Sequence, residues 1–144
     1  LAKEGHTQWN PDLIYFNNRE VKPTTGYYVQ KLYGQNAGNE YLPSKIVLDN
    51  KDDKVRKRFA SSIVRDSASG DVIVKLVNLL PVEVNTNVDL SGIGAVQPSA
   101  KRTVLTGKPT DTPLPVEDRI QIAEKFDCNL PAYSFTVIRI QKAN

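Results

Sequence analysis

Polar and apolar positions alternate most cleanly near the middle of the chain. Val82, Val84, Thr86 and Val88 share one parity, and Glu83, Asn85 and Asn87 take the other. That is the pattern of a strand with one wet face. Just before it lies a denser run, Val72-Ile-Val-Lys-Leu-Val-Asn-Leu-Leu80. Upstream, Phe59, Ser61, Ile63 and Arg65 alternate with Ala60, Ser62 and Val64, a strand over residues 58–65 with small residues on one face. The polar, glycine-bearing stretch Asp66-Ser-Ala-Ser-Gly-Asp71 joins these two segments, so residues 58–80 predict a β-hairpin. Ile46-Val-Leu48 is a short strand candidate, followed by a charged turn at 49–54. Residues 100–105 predict another strand, with Gly92 and Gly94 loosening the turn before it. The loop Lys108-Pro-Thr-Asp-Thr-Pro-Leu-Pro115 is too proline-rich for a helix. Residues 119–126 alternate loosely through Ile120 and Ile122. The chain closes on a turn proline and a run of aromatic and β-branched residues, Leu130-Pro-Ala-Tyr-Ser-Phe-Thr-Val-Ile-Arg-Ile140. It predicts a last strand over 133–141. Phe135 and Val137 fall on one face, with Tyr133 continuing it, and Ile138 and Ile140 on the other. Both faces of this strand are therefore expected to be covered.

The sum is six to eight short strands at intervals of about 10–15 residues, with no long amphipathic helix between them. The fold class is all-β: a two-sheet antiparallel β-sandwich, jelly-roll-like, with a closed barrel as the alternative. The first 40 residues differ in character. Asp12-Leu-Ile-Tyr-Phe16 is a strand or an extended segment ended by Asn17-Asn18. After the turn Pro23-Thr-Thr-Gly26, a short helix over 27–33 is expected, capped by Thr24 or Thr25 and ended at Gly34. It would bury Tyr27, Tyr28 and Leu32, whereas residues 1–8 offer little to bury. The expected division is a leader at 1–40 and a sandwich domain at 41–144.

A chain of 144 residues with a hydrophobic fraction of 40% can bury a core without covalent staples. Its 19 basic and 16 acidic residues leave a formal charge of +3. Only Lys54-Val-Arg-Lys-Arg58 is densely basic, and Asp49, Asp52 and Asp53 precede it. That is a solvated turn and strand start; a nucleic-acid interface would need a wider stripe with stacking aromatics. No apolar run reaches membrane-spanning length. The single cysteine, Cys128, excludes an internal disulfide and reads as a structural thiol. The single histidine, His6, lies near Trp9 and far from Cys128 in sequence. No metal or cofactor spacing is present. The chain opens Leu1-Ala-Lys-Glu-Gly and contains no Met. It therefore reads as the C-terminal piece of a larger protein, and a secreted or periplasmic location stays open.

A glycosidase needs two carboxyls across a cleft, one with its pKa raised by burial. The carboxylates available in the sandwich are Glu83, Asp89, Asp111, Glu117, Asp118, Glu124 and Asp127, and each is expected to face solvent. No catalytic residue is assigned. A sandwich that binds sugar would instead show an exposed aromatic patch. Within 42–144 the aromatics are Phe59, Phe126, Tyr133 and Phe135, which the strand patterns turn inward. The leader is richer, with Trp9, Tyr15, Phe16, Tyr27, Tyr28 and Tyr33, a composition suited to packing against a neighbouring domain.

Three stretches, taken in order, resemble one family. They are Trp9-Asn-Pro-Asp-Leu-Ile-Tyr-Phe16, Gly26-Tyr-Tyr-Val-Gln-Lys-Leu-Tyr33 and Asn36-Ala-Gly38. They look like the region that closes the catalytic barrel of family 51 α-L-arabinofuranosidases. The hairpin around Arg65-Asp66 and Gly70-Asp71, running into Ile73-Val-Lys-Leu-Val-Asn78, resembles the centre of that family's C-terminal domain. The segment 130–140 resembles its last strand. The resemblance implies a (β/α)8 barrel followed by this sandwich, in a retaining hydrolase that removes terminal α-L-arabinofuranosyl groups from arabinan- and arabinoxylan-type glycans. Its two catalytic glutamates would precede residue 1; Glu4, Glu20 and Glu40 match neither motif. Residues 1–40 would be the last strand and helix of the barrel, and Trp9 a wall on the substrate side of the cleft. The implied partners are the barrel itself, arabinose-containing glycans through the parent enzyme, and a second copy over any exposed barrel-facing surface. The other readings are a carbohydrate-binding module and a protein-interaction sandwich.

Overall fold

The computed structural model describes residues 13–16, 19–108, 111 and 113–143. Its main body is a six-stranded antiparallel sheet in the order β3-β4-β5-β10-β7-β8. These strands are β3 (Glu40–Leu42), β4 (Phe59–Arg65), β5 (Val72–Asn78), β7 (Val96–Thr106), β8 (Val116–Gln121) and β10 (Ser134–Lys142). A second sheet of two strands, β6 (Val84–Asp89) and β9 (Lys125–Leu130), packs across it. The chain passes between the layers after β5, β6, β8 and β9, as a sandwich requires.

The pairing explains the sequence patterns. β5 and β10 are the central strands, paired Phe135↔Val77 through Ile140↔Val72. Each is covered on both faces, so each is apolar almost without interruption. β6 and β9 form the outer layer and alternate. Val88 is buried between exposed Asn87 and Asp89, and Phe126, Cys128 and Leu130 are buried between exposed neighbours. Between the layers lie Val72, Val74 and Leu76 from β5, Ile138 and Ile140 from β10, and Val88, Phe126, Cys128 and Leu130 from the second sheet. Full burial of each large aliphatic chain there contributes about 1.5–3 kcal/mol. Asn78 closes one end of this core with 0% exposure. Its amide donates to the carbonyls of Val82, Leu130 and Pro131 at 2.9, 3.2 and 2.9 Å, and its side-chain oxygen accepts from Leu80 N–H at 3.0 Å.

The opposite face of the sheet carries a helix, α1 (Thr25–Gln35). Thr24 is its N-cap, accepting from Tyr27 N–H at 3.3 Å. The helix runs past Gly34 and ends at Asn36, whose amide donates to Leu32 O at 2.9 Å. That side-chain bond replaces the expected glycine stop, and the helix runs on to Gln35. α1 buries Leu32 against Ile73, Leu105, Phe135 and Val137, with Tyr28 and Val29 half-buried beside them. Its first turn is tied to the loop after β7, where Thr25 Oγ1 donates to Lys108 O and Asp111 O at 3.3 and 3.2 Å. Two short strands, β1 (Ile14–Phe16) and β2 (Val21–Pro23), pair with each other ahead of the helix. Gly38 sits in the left-handed region at φ +63°, and a Cβ there would lie 2.6 Å from Val64 Cγ2. Only glycine lets the helix exit pass this close to β4 on its way into β3.

Several expectations are corrected. Residues 46–48 form no strand; Ile46 and Val47 are exposed and pair with nothing along the sheet. The edge strand is Glu40–Leu42 instead, and a short helix, α2 (Asp53–Arg56), capped by Asp52, occupies the charged turn. Val82 lies outside β6 and is exposed. Residues 119–126 are not one strand: β8 ends at Gln121 and β9 starts at Lys125, because the chain changes layers there. Tyr133 does not continue the Phe135 face. It is the turn residue before β10, at φ +49°, donating its N–H to Leu80 O at 3.1 Å. The expected ordering of residues 1–8 and of Trp9 lies outside the described residues.

Candidate functional site

The seven sandwich carboxylates named above do not converge across a cleft. Glu83, Asp89, Asp111, Glu117, Asp118, Glu124 and Asp127 are all exposed. Asp89 and Glu124 come nearest to a pair, both holding the Ser91 hydroxyl at the tip of the second sheet. Hydrogen bonds from Ser91 and from Lys125 hold the Asp89 carboxyl down to a pKa of about 2. Asp118 is lowered by the Arg102 guanidinium and Glu117 by the Lys101 ammonium. A general acid needs the opposite displacement. Cys128 is 2% exposed, and burial pushes its thiol up despite Arg102 nearby. That makes it an inert core thiol rather than a nucleophile. No group of three His, Cys, Asp or Glu residues able to hold a metal occurs among the described residues, and no described helix is long and apolar enough to cross a membrane.

The four aromatics within 42–144 offer no sugar-stacking platform. Phe126 and Phe135 are buried, and Phe59 and Tyr133 are half-buried. A cleft of about 440 Å³ opens where the β4–β5 loop meets the loop before β7. Glu40, Arg65, Ser67, Ile93 and Lys142 line it. Its guanidinium is already engaged: Arg65 Nη1 lies 3.4 Å from Glu40 and Nη2 donates to Ile93 O at 3.3 Å.

The outer face of the large sheet is the remaining candidate. It is mixed where the inner face is apolar. Lys75 projects from the middle of β5 on this side, in register with Ser62 and Val137. Lys75 is 3% exposed, and burial lowers its pKa. Its ammonium sits 5.3 Å from the centre of the Tyr33 ring, which in turn stacks on Phe135 at 4.8 Å. Tyr33 remains 42% exposed and Tyr41 on β3 65% exposed. Arg139, at the end of this face, donates to Asp71 at 2.6 Å and to Asp66 at 2.9 Å, bracing the β4–β5 loop. Lys75 was detectable in the sequence as the one charge inside an apolar central strand; Tyr41, on a strand not foreseen, was not. Trp9 and His6 lie outside the described residues.

The fold is an antiparallel sandwich with a helix laid over one sheet, an architecture that hosts many functions. The match to known proteins specifies which. Residues 6–136 fit the α-L-arabinofuranosidase C-terminal domain, and the chain belongs to that family. An extracellular exo-α-L-arabinofuranosidase of Streptomyces chartreusis is 49% identical over 45 residues, 31% of this chain and 6% of that protein. An arabinose-bound GH51 α-L-arabinofuranosidase superposes with a TM-score of 0.81 and 28% identity, covering 95% of this chain and 22% of the other. The fold is shared with the GH51 enzyme of Thermotoga petrophila, at a TM-score of 0.73 and 13% identity, over 89% of this chain and 31% of that one. The chain thus corresponds to the non-catalytic C-terminal β-sandwich of these enzymes and spans under a third of their length.

Proposed function

We propose that this chain is the supporting domain of a retaining hydrolase that removes terminal α-L-arabinofuranosyl groups from arabinan- or arabinoxylan-type glycans. Residues 1–40 act as the closing strand and helix of the catalytic barrel, and residues 41–144 as the sandwich that braces it. In this reading Trp9 forms a wall of the substrate cleft. The observation that carries it is the superposition over 95% of the chain on an arabinose-bound enzyme of the family. Consistent with it, each carboxyl among the described residues whose pKa is displaced moves down rather than up, the opposite of what a general acid needs. The test is hydrolysis of an aryl α-L-arabinofuranoside. The polypeptide carrying a barrel ahead of this chain is expected to turn it over, the chain by itself is not, and Trp9→Ala in the longer protein is expected to raise KM. Turnover by the chain alone that vanishes in Asp89→Asn or Glu124→Gln would sink the reading.

A further inference from the structure

Lys75 poses a physical problem that the described residues do not solve. A cation almost wholly covered by protein normally has a carboxylate beside it. Among the described residues every ion pair lies elsewhere: Arg139 takes Asp66 and Asp71, Lys101 takes Glu117, and Arg65 takes Glu40. Around Lys75 the sheet presents Ser62 and Val137 in register, Ile73 and Val77 on its own strand, and Tyr33 from α1. The ring offers the ammonium only a cation–π contact. The nearest rows of the same face carry exposed apolar area, at Tyr33 and Tyr41.

We propose that Lys75, backed by Tyr33, is a docking point on this outer face for a carboxylate carried by the catalytic barrel. The inference rests on the function proposed above, and it names the contact through which the two domains recognise each other. The barrel is the favoured occupant for two reasons. The chain spans 22–31% of the length of its solved GH51 relatives, so most of such a protein lies outside it. The charge fits as well: the Lys75 ammonium beside the Tyr33 ring suits an anion at its open side, and Tyr33 and Tyr41 expose apolar area on the same face.

The experiment compares one substitution in two proteins, the 144-residue chain and the longer polypeptide that carries a barrel ahead of it. Lys75→Met keeps the aliphatic stem and removes the charge. It is expected to raise the melting temperature of the chain by about 2–4 °C and to lower that of the longer protein by a similar amount. Lys75→Arg is expected to retain most of the stability of the longer protein. The Lys75 ammonium, followed by NMR of ε-labelled lysine, should titrate below its ordinary value in the chain and above it in the longer protein. Shifts of the same sign in both proteins overturn the proposal. So does a raised Lys75 pKa in the chain alone, which would mean that the chain's own Glu4 or Asp12 already pairs with it. Concentration-dependent dimerisation of the chain that Lys75→Met abolishes would assign the face to a second copy and likewise overturn it. Activity is read separately. A longer protein that shows the opposite-sign shifts but hydrolyses no arabinofuranoside would refute the proposed function and leave the docking contact standing.

Discussion

The two faces of the six-stranded sheet are finished in different ways. On the inner face, strands β6 and β9 lay Val88, Phe126, Cys128 and Leu130 over Val74, Ile138 and Ile140, and Asn78 closes the end with four hydrogen bonds. On the outer face, a single helix covers Ile73, Leu105, Phe135 and Val137, and beside it stand a buried lysine and partly bare tyrosines. The inner face is a core that this chain completes by its own means. The outer face is half core and half contact surface. Apolar area alone does not distinguish them; what does is the charge buried on the outer face. Asn78 finds its partners in the chain, and among the described residues Lys75 meets only a ring.

The comparison can be broken most forcefully at Phe135, which packs with Leu32 and stacks on Tyr33 of the helix. Phe135→Ala is expected to cost about 3–5 kcal/mol. A loss below about 1 kcal/mol in denaturant melts would mean that α1 does not dock and that the outer face is bare. On the inner face, Asn78→Ala strands buried carbonyls and the Leu80 N–H, at about 1–3 kcal/mol for each orphaned group. Chemical denaturation showing no change would place water at that end of the core. Gly38→Ala forces a left-handed backbone and a contact with Val64, and should cost more than about 1 kcal/mol. Hydrogen exchange should locate the loosening at the exit of α1, with the inner core still protected.

Two smaller effects sharpen the contrast. The Thr136 hydroxyl is buried on the inner face with no hydrogen-bond partner among the described residues. Thr136→Val keeps its shape and should raise stability by about 1 kcal/mol. A fall instead would show that the hydroxyl is satisfied. Asp89 tests the rim of the second sheet by pH. Its folded pKa, about 2, lies below its unfolded value near 3.9. Its contribution is therefore complete above about pH 4 and is lost as pH falls towards 2. Asp89→Asn should flatten the pH dependence of the melting temperature in that window alone. An unchanged slope would show that Ser91 and Lys125 do not hold the carboxylate in solution.

The central hairpin, the last strand and the alternation through Val88 were legible because period-2 patterning and turn residues act locally. So was the capped helix at Thr24, since a cap is a contact between near neighbours. The family resemblance was legible in the same way, as ordered local motifs. The solvent-facing placement expected for Glu83, Asp89, Asp111, Glu117, Asp118, Glu124 and Asp127 was legible too, since each sits at a polar position of the pattern. Other features belonged to the tertiary structure. Whether 119–130 is one strand or two depended on where the chain changes layers, and residues 46–48 lost their strand because no neighbour offers them a ladder. Tyr133 became a turn residue because Leu80 and Gly107 bind its backbone. The role of Lys75 rests on residues 33, 62 and 137 meeting around it, contacts distant in sequence that no local pattern encodes. Periodicity tells a strand which side to bury; only the assembled sheets decide what lies against that side, and so whether a charge placed there is satisfied.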